Sequence, residues 1–233
     1  MRVRGTRFGV LVSTGGAVLA RLLTSAWFRD HLAVVVADRP CGAIECAERA
    51  GVPTVVVDEP DAYLRERALA DVFDAHGADH ILLFYTRLLR HDLLVRRAGT
   101  LWNLHPSLLP AFPGRHGFED AIAAGARVLG TTLHAVDAGC DTGPVLLQTV
   151  FARDPGASLA ATRHRLFEQQ VRAALQACRW LAAGRVAVVE GRVVVRDEPA
   201  PILLAGTLYA PGLDDAEAHT VVVPAFVTAE VAS

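Results

Sequence analysis

Three short segments carry residue types able to do chemistry together. The first is Leu101-Trp102-Asn103-Leu104-His105-Pro106. Side chains alternate along a strand, so Asn103 and His105 project to one face. Pro106 cannot donate to a ladder and marks the strand end. The pair is thus expected at the carboxyl edge of a sheet, where open α/β folds bind ligands. An amide and an imidazole there can hydrogen-bond one oxygen as it gains negative charge. The imidazole can also exchange protons near neutral pH. The second segment is Asp137-Ala138-Gly139-Cys140-Asp141-Thr142-Gly143-Pro144, a polar loop between two apolar runs. A loop carboxylate beside a histidine can orient it, raise its pKa and accept a proton. The third is Ser13-Thr14-Gly15-Gly16, a glycine turn between an apolar run and a helical pattern. Such a turn offers free N–H groups to an anion or polar ligand. It is neither GxGxxG nor a phosphate-binding P-loop. Each segment alone also reads as ordinary structure: a hydrogen-bonded Asn–His pair, an Asp-Gly turn and a tight turn.

The surrounding pattern supplies elements to hold them. Apolar runs at 7–12, 31–37, 54–57, 80–85 and 100–104 predict strands. Helical patterns at 17–25, 42–50, 61–75 and 88–98 fall between them. This alternation predicts an open, twisted, mostly parallel sheet of Rossmann-like α/β class with helices on both faces. A proline- and glycine-rich loop at 105–116 precedes a short helix at 118–124, strands at 130–137 and 145–151, and a long amphipathic helix at 159–183. Ser158 is placed to cap that helix and Gly184 to stop it. The division expected is a main domain at 1–185 and a short β-rich extension at 186–233 packed on it.

Composition narrows the function. The 233 residues are 52% hydrophobic and 21% charged, with a net charge of -2. A sizeable core can form, and no basic excess exists to neutralise a nucleic-acid backbone. Every basic residue is arginine, which removes Schiff-base lysine chemistry. The apolar run at 8–12 is too short for a membrane span or signal core. The four cysteines match no zinc or CxxC spacing, and the histidines show no paired metal-ligand spacing. The chain is expected to be cytoplasmic, with no bound metal.

Read together, the segments resemble the folate-dependent formyltransferase family. The run from Asn103 through Pro106, Pro110 and Pro113 to Gly114 resembles that family's signature loop. Asp137 to Pro144 resembles its second signature, with Gly130-Thr131-Thr132-Leu133-His134 between them. The match spans roughly 7–185, and Pro113-Gly114 is closest in form to the glycinamide ribonucleotide branch. The resemblance implies 10-formyltetrahydrofolate as formyl donor, tetrahydrofolate as product, and Asn103, His105 and Asp141 as the catalytic trio. It implies that Tyr85, Thr86, Arg87, Leu88 and Leu89 line the folate pocket. It places Val136, Asp137, Ala138, Gly139 and Cys140 around the pterin. On this reading Asn103 donates to the formyl oxygen, protonated His105 stabilises it, and Asp141 keeps His105 charged.

Ser13, Thr14, Gly15, Gly16, Pro106, Thr132 and Gln170 are the candidates for the acceptor side. Thr132 and His134 lie two apart on one strand face. That branch usually presents an Asn-Gly-Ser-Asn-like turn, and here Ala17 and Val18 replace its later polar residues. The acceptor expected is therefore a primary amine of specialised metabolism, of amino acid, amino sugar or nucleoside type. Glycinamide ribonucleotide is the alternative. A formyltetrahydrofolate hydrolase and a non-catalytic folate- or nucleotide-binding module are weaker competitors. The only partners expected are the small-molecule amine and, in a homodimer, a second copy.

Overall fold

The computed structural model describes residues 5–204, 207–210, 212 and 214. Five strands form a parallel half-sheet in the order β3 (Thr54–Val56), β2 (Leu32–Ala37), β1 (Phe8–Val12), β4 (His80–Phe84), β5 (Leu101–His105). From β5 outward the pairing turns antiparallel through β6 (Val128–Ala135) and β7 (Val145–Ala152). The order continues to β11 (Thr207–Ala210) and the edge strand β10 (Ile202–Leu204). A separate hairpin joins β8 (Val186–Val189) to β9 (Arg192–Val195). The expected Rossmann-like sheet is present, mixed in direction. Among the described residues after 185, β10 and β11 extend the main sheet beyond β7, with β11 three strands from β5. The remaining expected strands, at 215–233, fall outside the described residues.

Helices cover both faces. Phe8, Val10, Val12, Val35, Leu82, Trp102 and Leu133 face α1 (Ala17–Leu22), α3 (Gly42–Arg49) and α7 (Leu159–Ala182). Leu11, Val34, Val36, Ile81, Leu83 and Leu101 face α4 (Ala62–Ala75) and α5 (Asp92–Arg96). The strands are apolar on alternate residues to both sides, which is what a doubly covered sheet requires. Burying a side chain such as Phe73 or Leu69 completely contributes about 1.5–3 kcal/mol. Asn103 and His105 follow Leu101 on the same face of β5, Asn103 half-buried and His105 buried.

Two expected elements differ. The helix at 17–25 ends at Leu22, and α2 (Ala26–His31) starts afresh because the Ser25 side chain accepts the Phe28 N–H. The helix at 88–98 shrinks to α5. Residues 87–91 form a loop because the buried Glu66 carboxylate accepts the Arg90 and His91 N–H groups at 2.7 and 2.8 Å. That loop is the segment expected to meet the donor. A third helix, α6 (Gly117–Ala123), follows the proline loop as expected.

The β6–β7 pairing depends on a missing side chain. A Cβ at Gly130 would stand 1.8 Å from the Thr149 carbonyl oxygen. Gly130→Ala is expected to destabilise the protein by about 1–3 kcal/mol, since backbone must move to admit the methyl group. The thermal midpoint should fall by several degrees. An unchanged midpoint would show that the strands part without cost.

Candidate active site

Antiparallel register sets the site. Asn103 of β5 lies opposite His134 of β6, and His105 opposite Thr132. Directly opposed residues share a face, so four polar side chains stand together, with Asn103 half-buried and His105, Thr132 and His134 buried. The β6–β7 loop folds back over them and delivers Asp141, whose φ of 55° is left-handed. Asp141 Oδ1 accepts from Asn103 Nδ2 at 3.2 Å and lies 3.5 Å from His134 Nε2. Oδ2 accepts the Gly114 N–H at 2.7 Å and lies 3.4 Å from His105 Nδ1. Asn103, His105 and Asp141, far apart in the chain, are therefore brought into one cluster.

His134 joins them. Its Nδ1 donates to the Ala135 carbonyl at 2.8 Å, leaving Nε2 to accept from Asn103 Nδ2 at 3.1 Å. The amide thus gives one N–H to His134 and one to Asp141. Strand alternation from Thr132 was the only sequence signal for this histidine.

The charges are settled by surroundings. Burial alone would raise the Asp141 pKa. The His134 contact, the Gly114 N–H and the two imidazoles outweigh it and bring the carboxyl down to about 2. His105 moves below the ordinary imidazole value. Burial dominates, although the Phe112 carbonyl and Asp141 pull the other way. At neutral pH Asp141 is therefore ionised, and burial works against the expected standing charge on His105. Burial, and then Asp141, push the adjacent Cys140 thiol up.

The remaining candidates divide by contact. Thr132 is fully buried. Its hydroxyl donates to the Ser107 carbonyl and accepts from Leu109 N–H and Gln148 Nε2, so it clamps the proline loop and has no free face toward a ligand. Pro106 is half-buried within that loop. Ser13 is also buried, its hydroxyl accepting from Thr86 N–H at 3.4 Å, while Thr14 and Gly15 remain exposed. Gly16 caps α1 in the left-handed region at φ 67°. Arg87 Nε lies 2.7 Å from the carboxylate of Asp38, the residue just after β2. That carboxylate also holds Arg39 at 2.8 Å. Gln170 is half-buried on α7, and no hydrogen bond or ion pair joins it to the cluster among the described residues. Its neighbour Gln169 bonds Thr149 and Thr207 instead.

Beside the cluster, Tyr85 and Val136 pack on the α4–α5 core and Leu89 is buried in it. The Tyr85 hydroxyl is buried without a hydrogen-bond partner. Thr86 and Leu88 are exposed, as are Asp137, Ala138, Gly139 and Cys140. Asp137 shapes its loop by accepting from Gly139 N–H and Thr142 Oγ1. The apolar side chains of Tyr85 and Val136 beside the exposed loop at 137–140 suit a flat heteroaromatic ligand with polar edges. Among the described residues no cluster of His, Cys, Asp or Glu is placed to hold a metal, and no helix is long and apolar enough to cross a membrane.

The chain matches the formyl transferase family over residues 6–178. It is 44% identical over 149 residues to phosphoribosylglycinamide formyltransferase of Mycobacterium tuberculosis, covering 61% of this chain and 69% of that one. The Bacillus subtilis protein of the same name is 35% identical over 170 residues, with 69% and 86% covered. The crystal structure of glycinamide ribonucleotide transformylase 1 from Symbiobacterium toebii superposes with a TM-score of 0.77 at 35% identity, covering 83% of this chain and 95% of that one. The fold, the site and these likenesses agree: the chain belongs to the formyl transferase family and is an enzyme of formyltransferase type.

Proposed function

We propose that this enzyme moves a formyl group from 10-formyltetrahydrofolate to the primary amine of glycinamide ribonucleotide. The convergence of Asn103, His105 and Asp141 in one polar cluster carries the reading. The names borne by the similar proteins support the acceptor. The donor supplies an activated one-carbon unit when bound. The wall of Tyr85 and Val136, with the loop from Asp137 to Cys140, is where it fits. Residues 1–185 form the catalytic unit, and the cytoplasm is the expected location.

The residues divide the work. Asn103 exchanges one of its two present N–H bonds for the formyl oxygen and stabilises the negative charge that develops there. His105, neutral at rest, takes the proton lost by the attacking amine. The imidazolium so formed adds its charge beside the same oxygen. Asp141 stays ionised throughout and holds that imidazolium. Gly114 and His134 keep the carboxylate aimed.

One feature favours a different amine. The turn that precedes α1 gives way to Ala17 and Val18 and the Ser13 hydroxyl is buried, so Thr14 and backbone N–H groups are left to meet an anionic acceptor there. Incubating the protein with 10-formyltetrahydrofolate and glycinamide ribonucleotide should release tetrahydrofolate and add one carbonyl to the acceptor's mass. Transfer to another primary amine but not to this one would replace the acceptor. No transfer to any amine would overturn the reading. Asn103→Ala should lower kcat by about 10²–10³-fold, as loss of one oxyanion donor does elsewhere.

The pH dependence follows from His105. Its pKa in the folded protein lies below the ordinary imidazole value, so the base is intact at pH 7.5 and is lost as pH falls through that lowered value. kcat/KM should therefore show an acid limb with a midpoint below about 6.5, the ordinary value for histidine. A midpoint above that value would mean His105 is charged at rest.

A further inference from the structure

We propose that Arg39, held in place by the buried carboxylate of Asp38, binds the phosphate of the acceptor beside the turn at 13–16. The proposal rests on the formyl-transfer reading and adds to it a residue that recognises the acceptor. The turn itself offers little to an anion. Ser13 is buried and its hydroxyl accepts from Thr86 N–H, and Ala17 and Val18 follow. Thr14 and backbone N–H groups remain, and none of them carries a charge. A phosphate monoester carries about 1.5 to 2 negative charges at neutral pH.

The sheet brings a cation to that turn. Val12 pairs with Ala37 of β2, so Ser13 and Asp38 leave the sheet side by side. The chain then runs through Arg39 to α3, whose start packs on the turn. A Cβ at Gly16 would stand 2.5 Å from Ala43 Cβ, and one at Gly42 would stand 3.7 Å from Gly15 Cα. Residues 39–42 therefore border 13–16 directly. The Asp38 side chain is fully buried. Arg39 spans its carboxylate with two donors, Nε 3.2 Å from Oδ1 and Nη2 2.8 Å from Oδ2. Arg87, from the donor-side segment, places Nε 2.7 Å from the same Oδ2. Burial alone would raise the Asp38 pKa. The bonds from Arg39 and Ser13 and the charge of Arg87 outweigh it and hold the carboxyl below the ordinary aspartate value.

Two guanidiniums against one carboxylate leave one positive charge over. It lies at the carboxyl edge of the sheet, where open α/β folds bind ligands. The Arg39 side chain is 44% exposed, and among the described residues its Nη1 makes no hydrogen bond. One end of the planar fork is thus anchored and the other is open to a second anion, a geometry suited to phosphate oxygens. The anchor also orders a flexible side chain before the ligand arrives, which removes part of the cost of binding. The charge that the turn lacks is supplied from the adjoining loop.

The test uses the whole chain, with inorganic phosphate as probe and glycinamide ribonucleotide as acceptor. Phosphate should raise the thermal midpoint of the wild type above that in chloride at matched ionic strength, and should compete with the acceptor. Arg39→Gln should lose both effects. It should raise KM for the acceptor by about 10- to 100-fold, the scale of one hydrogen bond to a charged group, while KM for 10-formyltetrahydrofolate stays close to wild type. The rise in KM should exceed any fall in kcat, because the contact lies away from the reacting atoms. A wild type indifferent to phosphate overturns the proposal, even if Arg39→Gln fails to fold. A folded Arg39→Gln protein that keeps its phosphate response and its acceptor KM overturns it too, and reduces Arg39 to a counterion of Asp38. A rise in KM for the donor alone overturns it by moving the arginine to the donor side. If glycinamide ribonucleotide accepts no formyl group, the acceptor assignment fails and the phosphate titration alone decides the site.

Discussion

A single carboxylate organises the active face. Asp141 carries its charge among side chains that are nearly buried, with two imidazoles, an amide and a backbone N–H around it. An ionised carboxylate in that setting is tolerated only because every approach is polar. Removing those neighbours would leave burial unopposed and favour the neutral acid. The face is thus a mutual arrangement. The carboxylate holds the amide and the Gly114 N–H in place, and their donation keeps it charged.

The rest of the fold answers the demands of that arrangement. Antiparallel pairing of β5 with β6 sets Asn103 against His134 and His105 against Thr132. A shift of one residue would turn β6's histidine to the opposite face and disperse the group. Thr132, Gln148 and Ser107 fasten the proline loop, and the loop fastens both Asp141 and His105. Two left-handed residues, Phe112 and Asp141, lie at the two places where the chain must double back. Strain of this kind costs about 1–3 kcal/mol per residue and persists where the surroundings overdetermine it. The stable part of the molecule, the doubly covered parallel half-sheet, provides that support.

Much of this was legible in the residues. Period-two alternation placed Asn103 and His105 on one face, and the run of apolar strands gave the α/β class. Other features were hidden because they depend on contacts distant in sequence. Thr132 looked like a cleft residue by alternation, yet its hydroxyl is consumed by a loop more than twenty residues upstream. Arg87 looked free to meet a ligand, yet Asp38 claims its guanidinium from the loop after β2. The 88–98 helix was shortened by Glu66, a carboxylate that helical periodicity alone would leave as a surface residue. Burial, which a motif does not report, pulls the His105 pKa down.

The central claim is that Asp141 stays ionised inside its ring of partners. Carboxyl ¹³C chemical shifts of the aspartate-labelled protein, followed from pH 7 down to the acid limit of the fold, test it directly. The Asp141 resonance, assigned by its loss in Asp141→Asn, should still report a carboxylate at about pH 4, near the ordinary aspartate midpoint. A titration centred at or above that midpoint would contradict the account, since the partners would then fail to offset burial.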